Sequence, residues 1–139
     1  MSDSRKAYDE KFGDNQNKWE TTSTSAPNFS ESQLDFKVTF PVISEEFVNI
    51  QKEQLELFSK KMMDYGLGNI ALGGDLKNED DVNYALQGIQ IRINDKINRL
   101  KNLLKNGKSY VENESIEDTL VDISNYGIIG LLLGRKKWK

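Results

Sequence analysis

Apolar residues recur at helical spacing in three stretches of the chain, and alternate in a fourth. In the first stretch Phe47, Ile50, Leu57, Phe58, Met62 and Tyr65 share a face. Ser44 suits an N-cap, Glu45 and Glu46 sit in the first turn, and Gly66 is a natural stop, so the pattern predicts a helix over 44–65. Ile43 and Val48 are spaced to staple its entry. In the second stretch Leu86, Ile89, Ile93, Ile97, Leu100 and Leu104 form a stripe. Asn78 as cap, three acids behind it and Gly107 as stop predict a helix over 78–106. The glycine-rich residues 64–78 between these two helices read as a loop; such loops can cradle phosphate, but Walker spacing and a preceding strand are missing, so turn-making is the expected use. Upstream, Leu34, Phe36, Val38, Phe40 and Val42 alternate with period two. That predicts an extended segment over 33–43, and Pro41 confines it to an edge strand or an apolar strap. Residues 1–35 lack periodicity and are rich in Ser, Thr, Asn and charge, which predicts an extended, largely disordered arm. Tyr8, Phe12, Trp19 and Phe29 are aromatics scattered in it, open either to a partner or neighbouring subunit or to no contact at all.

The third stretch, Glu114 to Gly134, is apolar on nearly every side. Leu120, Val121, Ile123, Tyr126, Ile128 and Leu131 surround a line of Asp118, Asp122 and Asn125 at i, i+4, i+7. Such a helix belongs inside a bundle, and its acids then need cationic company. Two neighbouring helices do not cover so many sides, so a second subunit is expected. The fold class predicted is all-α: three main helices in an oligomeric bundle over 36–139, behind the N-terminal arm.

Composition narrows the chemistry. The chain has 139 residues, no histidine and no cysteine, which excludes disulfides and the His-dependent nucleophilic mechanisms. An enzyme built from it works with carboxylates, Lys/Arg, Tyr and a hard cation. A formal net charge of −3 does not favour nucleic acid as the direct ligand. No apolar run approaches the roughly 20 residues of a membrane span. With a polar, charged N-terminus, this predicts a cytoplasmic protein.

Charge borders the core stripe on each helix. Glu53, Glu56 and Lys60 lie on the first, Arg92, Asp95, Lys96 and Arg99 on the second, Asp118 and Asp122 on the third. Carboxylates from two helices suit Mg²⁺, and arginines grip phosphate with a bidentate fork. Together they point to a nucleoside phosphate held between helices, with Glu53, Glu56, Asp118 and Asp122 as catalytic candidates. Glu56, Asp118 and Asp122 are the metal candidates. Arg92, Asp95, Lys96 and Arg99, with Tyr65, Asn69, Asn125 and Tyr126, are the substrate-binding candidates. Structural readings stand beside these. Ser115-x-x-Asp118 fits a capping box, Glu56–Lys60 an ordinary i, i+4 pair, and Arg92–Arg99 an intrahelical ladder. Asn125 fits a satisfied core amide, and the basic residues 135–139 a solubilising tail.

The segments ELFSKKMMDYGLGNIALG (56–73), IRINDKINRLKNLL (91–104) and IEDTLVDISNYGIIGLLLGRKKW (116–138) resemble the nucleotide modification associated domain 1 family, over roughly Phe40 to Trp138. The resemblance implies a small, largely phage and bacterial group linked to modified bases or their nucleotide precursors. More loosely, the chain looks like the all-α nucleoside triphosphate pyrophosphohydrolases of the MazG and dimeric dUTPase type. Those carry an E-E-x-x-E helix and an E-x-x-D helix that bind Mg²⁺. Here Glu53-x-x-Glu56 matches the second half of the first motif, Lys52 stands where its leading acid would be, and Asp118-x-x-x-Asp122 departs from the second. The leading expectation is therefore a homo-oligomer that binds a deoxynucleoside phosphate, with Mg²⁺-dependent hydrolysis if it is an enzyme; the alternative is a non-catalytic nucleotide binder or an accessory to a DNA-modifying enzyme. A purely structural protein, its charges paired between subunits, is the remaining alternative.

Overall fold

The structure, a computed structural model, describes residues 28–112 and 114–139. Among them are five α-helices and no strand: α1 Glu31–Thr39, α2 Pro41–Tyr65, α3 Gly68–Ala71, α4 Glu79–Asn106 and α5 Ile116–Gly134. The class is all-α, as the periodicity predicts. The chain divides into two compact units at Glu53/Gln54, inside α2. Tyr8, Phe12 and Trp19 lie outside the described residues.

In the N-terminal unit the extended segment expected over 33–43 is helical instead. Ser30 caps α1 in a full capping box with Gln33, whose side chain accepts from the Ser30 N–H at 2.8 Å. A reciprocal cap nucleates a helix where alternation argued for a strand. On a helix, period-two residues scatter around the axis. Only Leu34 is accordingly buried, while Phe36, Val38, Phe40 and Val42 stay exposed. Phe40 leaves helical geometry (φ −128°, ψ 64°), as a residue before proline is pushed to do, and Pro41 opens α2 at the position where its missing N–H costs nothing. Ser44 is therefore not an N-cap. It lies buried one turn inside α2, its N–H donating to the Phe40 carbonyl at 2.9 Å. The staple expected between Ile43 and Val48 loses its basis, and both side chains are exposed.

The C-terminal unit holds the second half of α2 with α3, α4 and α5. Gly66, at φ 65°, ends α2 with its N–H on the Met62 carbonyl, a left-handed stop that glycine tolerates best. The following loop contains α3, a turn of helix where only loop was expected. Asn78 caps α4 through the Asp81 N–H, and Gly107 closes it at φ 71°. α5 begins with a Ser115–Asp118 capping box. The buried line of α4 is Val82, Ala85, Ile89 and Leu103; Ile97 and Leu104, expected in it, are exposed. The core joins Ile70, Ala85, Ile89, Ile129, Leu133 and Trp138, flanked by half-buried Phe58, Met62, Leu86 and Tyr126. Leu133 is almost wholly enclosed, at 1 % exposure. Residues 135–139 turn back after α5, which brings Trp138 into this core.

Candidate functional site

Within the C-terminal unit lies a cavity of about 400 Å³. α2 contributes Phe58, Lys61, Met62 and Tyr65, and the α3 segment contributes Asn69 and Ile70. Arg92 comes from α4, and Asp122, Asn125, Tyr126 and Ile129 from α5, with Trp138 beyond it. The indole of Trp138 is pinned from two sides. Its N–H donates to the Leu67 carbonyl at 3.2 Å, and its ring meets Phe58 edge-on at 6.4 Å.

Asp122 is the electrostatic centre. One oxygen accepts from Lys61 on α2 and the other from Lys96 on α4, each at 2.8 Å, so one carboxylate ties three helices. Burial alone would push its pKa up, but the two ammonium groups outweigh that and hold it below its ordinary value. The hydrogen bond from Lys96 raises that lysine's own pKa in turn. Arg92 donates to the Asn69 carbonyl at 2.9 Å, which fixes the guanidinium while leaving most of its donors unused. Asn125 is buried at 6 % exposure, and neither its Oδ1 nor its Nδ2 has a hydrogen-bond partner among the described residues.

The structure thus brings Tyr65, Asn69, Arg92, Asp122, Asn125 and Tyr126 onto one cavity, with Lys96 bound to Asp122. The other residues predicted for the site lie elsewhere. Asp118 serves the α5 cap, where the Ser115 hydroxyl and then the Ser115 N–H lower its pKa. Glu56 faces water and pairs with Lys60 at 3.1 Å, both 69 % exposed. Glu53 is exposed and belongs to the N-terminal unit. Asp95 is exposed, and Arg99 is held by Glu114, through an ion pair with its carboxylate and a 2.7 Å bond to its carbonyl.

These acids do not fit a carboxylate-held Mg²⁺. Asp122 already has an ammonium on each oxygen, Asp118 is engaged by its cap, and no group of three acids converges among the described residues. Two cavity residues, Lys61 and Trp138, had weak sequence signals. Lys61 is three residues after Phe58 and four before Tyr65, next to the apolar stripe of α2. Trp138 is the one apolar group within a basic tail, and an isolated indole among lysines marks an anchor.

A family model, nucleotide modification associated domain 1, matches residues 61–133, just over half of the chain. The chain belongs to this family. The matched region contains α3, α4, nearly all of α5 and the Lys61–Tyr65 turn of α2. It therefore holds every residue that lines the cavity except Phe58 and Trp138, which lie just outside it. No curated protein and no solved structure matches the chain. No helix among the described residues is long and apolar enough to cross a membrane.

Proposed function

We propose that the cavity binds a nucleoside phosphate. The observation that carries this reading is the meeting of cationic and aromatic side chains on one concavity: Lys61 and Arg92 beside Phe58, Tyr65, Tyr126 and Trp138. Guanidinium and ammonium groups suit phosphate oxygens, and aromatic faces suit a planar base whatever its identity. The volume falls within the range of small-molecule sites. Arg92 is pre-positioned by the Asn69 carbonyl, which lowers the entropy lost when it grips an anion. The family's tie to nucleotide modification supports the same ligand class.

Deoxynucleoside mono- and triphosphates, screened for thermal stabilisation of the full chain, test this. A ligand at a hundred times its Kd adds about 2.7 kcal/mol of apparent stability. Arg92→Ala, which removes charge-assisted hydrogen bonds, is expected to weaken binding by about 10- to 100-fold. If no nucleotide stabilises the protein, the reading fails. Incubation with a nucleoside triphosphate and Mg²⁺ then separates retention from turnover. Recovery of intact nucleotide is expected, and pyrophosphate release would make the protein a hydrolase instead.

A further inference from the structure

We infer that Asn125 recognises the hydrogen-bonding edge of the base, an inference that rests on the nucleotide reading above. Asn125 forms part of the cavity wall on the interior side of α5, one turn after Asp122 and one turn before Ile129. Both polar atoms of its amide are buried without a partner among the described residues. Leaving such groups unpaired costs free energy, and an apolar side chain of similar size would avoid it. Among the described residues Asn125 is the only side chain with buried polar atoms that lack a partner, whereas Asp122 and Arg92 are both engaged within the protein.

An amide offers one acceptor beside one donor. A ligand that satisfies both must present a donor beside an acceptor on one edge. The Watson–Crick edge of every common base does so: N3–H with O4 in thymine and N1–H with O6 in guanine. Cytosine offers N3 with its amino group, and adenine N1 with its own. Both amide atoms are enclosed in the free protein, so base binding requires the side chain to turn them into the cavity, and no bond within the protein opposes that turn or fixes which of the two atoms leads. Asn125 therefore registers that a base is present more strongly than which base it is.

The test uses the full chain and Asn125→Leu. The ligands are the four deoxynucleoside monophosphates, N3-methyl thymidine monophosphate and base-free deoxyribose 5-phosphate. Wild type is expected to bind the four nucleotides more tightly than the base-free sugar phosphate, and the N3-methyl analogue more weakly than its parent. Asn125→Leu is expected to lose about 10- to 100-fold in nucleotide affinity while its affinity for deoxyribose 5-phosphate stays the same. Without ligand, the variant should melt at or above the wild-type temperature, because it removes unpaired polar atoms. A variant that binds nucleotides like wild type, or that melts lower because the amide was structural, overturns the inference. Equal wild-type affinity for nucleotide and base-free sugar phosphate overturns it together with the assignment of the aromatic faces to a base, whereas an unchanged variant beside a wild type that prefers nucleotides overturns this inference alone. Failure of wild type to bind any of the ligands overturns both.

Discussion

Moving a carboxylate from water into a helix interface costs several kcal/mol unless cations meet it, and Asp122 is met by two, from different helices. Its pKa is depressed, so its contribution to stability is present above the unfolded carboxylate value of about 3.9 and is lost as pH falls through the lower folded value. Lys96 has the opposite sign. Its pKa is raised, so its contribution is complete below 10.5 and is lost as pH rises through the folded value. Asp122→Asn is expected to lower stability by about 1–2 kcal/mol at neutral pH, since charged hydrogen bonds are lost and two ammonium groups remain. Urea melts across pH should show a shallower acid limb in the variant. This site was legible because an acid one turn beyond a cap, on an otherwise apolar helix, has no local reason to be there. Its partner Lys61 was not, because a lysine beside an apolar stripe looks the same whether its ammonium reaches water or a carboxylate.

At the scale of elements, local chemistry decided what could be read. α4 and α5 carry caps, stops and long apolar periodicity that agree with one another, and their ends lie where those signals put them. Ser115→Ala should cost about 1 kcal/mol, seen as a lower melting temperature with the ligand response intact, because the cap lies outside the cavity. Residues 33–43 misled because their alternation is a signal about side chains, whereas the Ser30–Gln33 cap and the proline at the head of α2 act on the backbone directly. The stripe of α4 slipped by one residue near its end, from Leu104 to Leu103, as 3.6-residue periodicity drifts over a long helix.

For the whole molecule, one side of α5 is uncovered: Leu120, Ile128 and Leu131 are 50 %, 40 % and 56 % exposed. Apolar surface of this kind favours association. Sedimentation of the full chain is expected to give at least twice the single-chain mass, and Leu131→Glu to reduce it to one; a monomeric wild type would contradict this. The cavity itself is a property of the assembled unit. Asn69 reaches it from a glycine-rich loop and Trp138 from a basic tail, and neither segment has periodicity that announces an inward-facing residue.

Trp138 also makes the protein spectroscopically convenient. The chain has two tryptophans, and Trp138 is in the cavity wall, with its ring packed on Phe58 and its N–H on a carbonyl. Replacing Trp19 with phenylalanine would leave a single tryptophan, in the wall of the cavity, so the proposed binding could be tested by tryptophan fluorescence, with no dye, label or coupled assay.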